Sequence, residues 1–244
     1  MKPALGALRV FDDPAALARG AAEFLDQQAR ASSGPFVVAL SGGSTPKSTY
    51  ELLARPPIRD RFPWARVHWV LGDERFVDAA DPASNFGMIC AAFLSHVSAP
   101  PANIHPVPFN GLTPEQAADR YEATLARLYG ADTLESDRML FDVNFLGLGD
   151  DGHTASLIPG QPVLAERDRW VAAVEHGRAE PRITLTYPAL ESSRMMVVLV
   201  AGAAKRTILD TVLSGGSDVP AARLRPEGEL IWFVDRAAAG RWGV

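Results

Sequence analysis

Apolar positions along this 244-residue chain follow two alternating patterns, and the alternation predicts its architecture. Residues 13–31 (DPAALARGAAEFLDQQARA) place apolar side chains at helical spacing, with Asp13 as a cap and Pro14 at the first helical position. The run that follows, PFVVAL at 35–40, is short, apolar and rich in β-branched residues, which predicts a buried strand. VHWVL (67–71), FDVNFL (141–146), MMVVLV (195–200) and LIWFV (230–234) have the same character, and helical stretches at 83–97, 114–129 and 203–213 separate them. Near-continuous apolar strands are those buried on both faces, so this alternation predicts a doubly wound, mainly parallel α/β sheet flanked by helices. A single domain over residues 1–244 is expected at this length.

Parallel strands deliver the loops that follow them to one edge, so the residues after each apolar run matter most. They are SGGSTP (41–46), GDER (72–75), GLGDDGH (147–153) and AGAAK (201–205), each joining glycine to polar or charged residues. In SGGSTP, Gly42 and Gly43 permit close backbone approach, Thr45 is placed to cap a helix and Pro46 suits its first turn. Such a helix start cradles anions through free N–H groups and its dipole; the other reading is a tight turn in which Ser and Thr merely cap. The loop lacks the Walker pattern, and its resemblance to a nucleophile elbow is discounted because an elbow follows several strands, not two at most. Arg75 and Lys205 stand just past strand ends, as ligands for an anion or as surface charges, Arg75 then pairing with Asp73 or Glu74.

The stretch GLGDDGHTASLIP, 147–159, concentrates glycines, two carboxylates and His153 in one turn, and a helix is expected to open at Thr154. Gly147, Gly149 and Gly152 also spell the dinucleotide fingerprint, with Glu175 at about the right distance for a ribose. Asp150 and Asp151 would put negative charge where the pyrophosphate must rest, and Pro159 would cut the helix short, so that reading is rejected. A turn with one histidine and two carboxylates suits proton transfer. His68, His96, His105 and His176 lack such a context and read as ordinary histidines, and no close set of His, Cys and Asp suggests a metal.

Composition narrows the partners. With 24 basic and 29 acidic residues the formal charge is −5, without a basic stripe, so neither nucleic acid nor an unassisted anion is drawn by the overall field. No run approaches the ~18 apolar residues of a membrane span, and the N-terminus MKPALGALRV lacks a leader's apolar region. Cys90 stands alone, expected as a small buried residue in a reducing compartment, and a cytoplasmic location follows as the expectation. The Trp residues read as packing, and the segments 98–109 and 214–228 as long surface connections.

In this order, SGGSTP, GDER with SNFGM (84–88), GLGDDGHTASLIP, PRITLT (181–186) and AGAAK resemble the 6-phosphogluconolactonase family over nearly the full chain. The resemblance implies a Rossmann-like fold shared with glucosamine-6-phosphate deaminases, no organic cofactor, and hydrolysis of 6-phospho-D-glucono-1,5-lactone in the pentose phosphate pathway. It also implies that Gly42, Gly43, Ser44, Thr45, Arg75, Arg182 and Lys205 grip the phosphate and sugar end, with Asn85 as a hydroxyl-binding candidate. His153 would then activate water, and Asp151 would orient its imidazole and stabilise the cation. The expected partner is a small sugar-phosphate lactone, with the protein a monomer or small homo-oligomer.

Two other functions compete. Deaminases resemble this chain in the G-x-D-G-H turn but continue with a segment of the type I-A-F-N-E-P, whose Glu moves protons; here Ile158 takes that place, and an aliphatic group cannot do so. A non-catalytic sugar-phosphate sensor would need SGGSTP and Lys205 but neither Asp151 nor His153.

Overall fold

The computed structural model describes residues 5–215 and 217–243. The first four residues of the N-terminal stretch, Gly216 within the 214–228 connection, and Val244 lie outside the described residues.

The strands are β1 (Ala7–Phe11), β2 (Phe36–Leu40), β3 (Val67–Leu71), β4 (Asp73–Arg75), β5 (Ile104–His105), β6 (Phe141–Gly147), β7 (Val171–Val174), β8 (Arg182–Leu185), β9 (Ser193–Val200) and β10 (Glu229–Asp235). Between them run α1 (Pro14–Ala31), α2 (Ser44–Leu53), α3 (Ile58–Arg61), α4 (Asn85–Ala92), α5 (Pro114–Tyr129), α6 (Tyr187–Glu191), α7 (Arg206–Leu213) and α8 (Arg236–Ala239). Seven strands form one parallel sheet in the order β1-β10-β9-β6-β2-β3-β5, while β4, β8 and β7 form a small antiparallel sheet. The mainly parallel α/β architecture expected from the apolar runs is therefore present.

Burial on both faces explains those runs. Along β9, Met195, Val197 and Leu199 pack toward α1, α2 and α4, whereas Met196, Val198 and Val200 pack toward α5, α6 and α7. Trp232 in β10 and Trp69 in β3 are fully enclosed, and Trp64, Trp170 and Trp242 are buried as well, in keeping with packing roles. Helix α1 starts on Asp13, whose carboxylate accepts the Ala16 N–H at 2.7 Å. Helix α5 has a complete capping box between Thr113 and Gln116.

From β2 the chain winds outward through β3 to β5; from β6 it winds the other way through β9 to β10. The loops after β2 and β6 therefore part company between adjacent strands, which opens a crevice at the carboxyl edge. Buried tyrosines hold two of these strand ends: Tyr50 Oη bonds the N–H and C=O of Ser41, each at 3.0 Å, and Tyr121 Oη bonds those of Leu71 at 2.6 and 3.1 Å.

Several local expectations are corrected. No helix opens at Thr154: its hydroxyl bonds Gly147 O, Leu157 N–H closes a tight turn on Thr154 O, and Ser156 N–H and Oγ bond Thr184 Oγ1 and Asp73. These side-chain bonds compete with a helical ladder, and Ala155 takes a left-handed φ of 48° inside the turn. Helix α2 begins one residue before Thr45, with Gly43 as its cap. Helix α4 covers only part of 83–97, because Ser84 is spent capping Gly87 N–H and the chain leaves the helix at Phe93. The segment 98–109 is not wholly a surface connection, since β5 within it forms the sheet edge. Cys90 is half-buried rather than buried. Among the described residues no helix is long and apolar enough to cross a membrane.

Candidate active site

A crevice of about 240 Å³ lies at the divergence of the β2 and β6 loops. Its walls include Gly42, Gly43, Ser44 and Thr45 after β2, Arg75 and Asn85, His153, Arg182 of β8, and Lys205 after β9. Every candidate binding residue named from the sequence thus meets in one cleft, together with the histidine. Asp151 stands directly behind that histidine.

The start of α2 is shaped for an anion. Gly43 adopts φ 105°, and no side chain bonds the first N–H groups of the helix, so Ser44 and Thr45 keep theirs for a ligand. Thr45 therefore does not act as the cap; its carbonyl instead accepts Thr49 Oγ1. A Cβ on Gly42 would overlap the carboxamide of Asn85, so glycine is required for that side chain to lie against the loop. Asn85 in turn donates to Asp73 O at 2.9 Å.

The small antiparallel sheet supplies two guanidinium groups. Arg75 and Arg182 are direct cross-strand partners of β4 and β8, an arrangement of like charges that costs stability unless an anion lies between them. The expected alternative, a surface ion pair for Arg75, does not form. The Glu74 carboxylate is occupied by the N–H groups of Arg75, Asn85 and Phe86 and by Ser84 Oγ, while Arg75 Nη1 donates to Ala83 O at 2.5 Å. Burial pushes the Glu74 carboxyl above its ordinary range, against those same N–H donors. Burial also pulls Arg182 below its usual value, opposed by Asp73 and reinforced by Arg75 and Arg178. Arg75 Nε, Arg182 Nε and Ser41 Oγ are buried without a hydrogen-bond partner. Unpaired buried donors call for a physical explanation, and an anionic ligand provides one.

Lys205 Nζ is paired with Asp150 Oδ1 at 2.6 Å, and Asp150 is otherwise exposed. Asp73 is buried, accepts Ser156 Oγ at 2.6 Å and lies 3.9 Å from Arg182, so it anchors the floor of the crevice.

The 147–153 turn positions the histidine. Gly149 N–H donates to His153 O at 2.8 Å and Gly152 N–H to Gly149 O at 3.0 Å, and a Cβ on Gly149 would collide with the imidazole. The ring consequently packs against the backbone at Gly149. Its Nδ1 is 2.5 Å from Asp151 Oδ1, which also accepts the His153 N–H at 3.1 Å. Partial burial disfavours the Asp151 charge, but hydrogen bonds from Arg178 and His153 prevail and hold the carboxyl well below the usual range. Arg178, which sequence reasoning missed, reaches Asp151 Oδ2 at 2.6 Å from the loop before β8. No local pattern marks it: only folding brings residue 178 to residue 151. Ile158 is buried in the core, 3 % exposed, and does not line the crevice.

Fold and crevice define an α/β protein with a candidate ligand site at the carboxyl edge of a parallel sheet. The family model described as glucosamine-6-phosphate isomerases/6-phosphogluconolactonase matches residues 12–232, and the chain belongs to that family. It is 42% identical to the 6-phosphogluconolactonase of Synechocystis sp. over 214 residues, 86% of either chain. It is 34% identical to that of Rattus norvegicus over 250 residues, covering 97% of this chain and 94% of the other. The solved structure of 6-phosphogluconolactonase from Trypanosoma cruzi superposes with a TM-score of 0.83 at 28% identity, covering 98% and 97% of the two chains.

Proposed function

We propose that this protein hydrolyses 6-phospho-D-glucono-1,5-lactone to 6-phospho-D-gluconate, the lactone-opening step of the pentose phosphate pathway, in the cytoplasm. The observation that carries the reading is the pairing of Asp151 with His153, which lines a crevice that also gathers three cations and a helix start. Nδ1–H of His153 donates to Asp151, which leaves Nε2 as the base. Nε2 removes a proton from water as the water oxygen bonds C1 and the carbonyl pair moves onto oxygen. Backbone N–H groups of the glycine turns or a crevice arginine hold that oxyanion. When the tetrahedral intermediate collapses, the bond from C1 to the ring oxygen breaks and Nε2 returns its proton to that oxygen. No covalent intermediate is required, because the strained ester already hydrolyses in water.

The phosphate rests on the start of α2 and the cations Arg75, Arg182 and Lys205, with Asn85 toward the sugar hydroxyls. The aminosugar branch of the family is disfavoured by Ile158, which is apolar and enclosed. Purified protein, dialysed against a chelator and given no cofactor, should release protons from freshly made lactone above the spontaneous rate and no ammonia from glucosamine-6-phosphate. Sustained ammonia release above a His153→Ala control would overturn the assignment.

A further inference from the structure

We infer that Arg178 is a positioning residue that fixes the Asp151 carboxylate against Nδ1 of His153 and thereby keeps Nε2 as the free base nitrogen. The inference rests on the reaction proposed above. Three contacts carry it. Arg178 Nη2 donates to Asp151 Oδ2 at 2.6 Å, lies 3.1 Å from His153 Nδ1, and Arg178 Nη1 donates to Gly177 O at 2.7 Å, which folds the side chain back toward the turn.

One ring nitrogen cannot serve both neighbours. Nδ1 either carries a hydrogen directed to Asp151 or offers its lone pair to Arg178, and the second arrangement places the hydrogen on Nε2, where it abolishes the base. The carboxylate decides the competition. With Oδ2 held by Arg178, Oδ1 is turned toward the ring at 2.5 Å and takes both the ring N–H and the His153 backbone N–H. Without Arg178, Asp151 is a half-exposed carboxylate on a surface turn, free to rotate away into water.

Asp151 faces the imidazole from its own turn and Arg178 from the loop before β8; Asp73 and Arg75 of β4, Arg182 of β8 and Lys205 after β9 share the same crevice walls.

The test compares Arg178→Met and Arg178→Lys with the parent protein, by lactone hydrolysis and by the nitrogen NMR shifts of the His153 ring in alkaline buffer, which report the nitrogen that carries the hydrogen. In Arg178→Met, kcat should fall by about 10–100-fold while KM stays within roughly threefold. The ring, with its hydrogen on Nδ1 in the parent, should move toward a mixture that includes the Nε2–H tautomer. Arg178→Lys, which keeps a cation beside the Asp151 carboxylate, should recover most of the parent tautomer and turnover. Loss of kcat with an unchanged tautomer, or a loss confined to KM, would overturn the inference. The NMR measurement stands apart from catalysis: a changed tautomer in a protein without lactonase activity would sink the proposed reaction and leave the positioning role intact.

Discussion

Replacing Arg75 and Lys205 separately by Met probes the proposed anion site most directly, because the two cations are held by unequal contacts. A charge-assisted hydrogen bond to phosphate contributes about 1.5–3 kcal/mol. Arg75 makes one bond to Ala83 O and keeps Nε buried without a partner, so nothing need be broken when it meets a phosphate. Its loss should approach the top of that range, about 30–150-fold in kcat/KM at 1.4 kcal/mol per tenfold. Lys205 must first leave Asp150, 2.6 Å away. That pair is exposed and worth up to about 1 kcal/mol, which reduces the net loss to about 0.5–2 kcal/mol, or roughly 2–30-fold. The assay is proton release from fresh 6-phosphogluconolactone, corrected for spontaneous hydrolysis, run beside unphosphorylated gluconolactone. The second lactone should change by less than about threefold, since it has no phosphate to lose. Equal losses for both lactones, or a larger loss for Lys205→Met than for Arg75→Met, would refute the assignment.

Two further outcomes follow from the geometry. His153→Ala should lower kcat by about 100-fold or more with KM little changed, and near-normal turnover would move the base to buried Asp73. A different pair of histidines links stability to pH: His68 Nδ1 lies 3.1 Å from His105 Nε2 on β3 and β5, and burial lowers both, His105 being lowered further by His68. Below the unfolded value of about 6.5 the unfolded chain therefore binds more protons than the folded one, so stability is lost as pH falls through that window. The melting temperature should drop from pH 7.5 to 5.5, and less so in a His68→Asn, His105→Asn double variant; an equal drop in both proteins would refute the linkage.

What the chain declares by itself is whatever depends on local pattern. The five long inner strands were legible because burial on both faces demands uninterrupted apolar side chains, and β3 lies at Val67–Leu71 as its run predicts. The convergence of SGGSTP, GDER, GLGDDGH and AGAAK also followed, since parallel strands must deliver the segments after them to one edge, although Asp73–Arg75 of GDER pairs with β8 as strand β4 instead of remaining a loop. Tertiary structure alone decided the rest. Strand β1, with a partly exposed edge, and two-residue β5 carry too little apolar signal to announce themselves, and they exist through pairing with β10 and β3. The turn at Thr154 prevailed over a helix because Thr184 and Asp73 offered its polar groups partners from distant positions. Arg75 and Arg182 became register neighbours only when β4 met β8, and Arg178 reached Asp151 across 27 positions of sequence. Local periodicity records which face of an element is buried; it holds no record of which distant donor will complete a carboxylate, because that depends on where the folded backbone carries it.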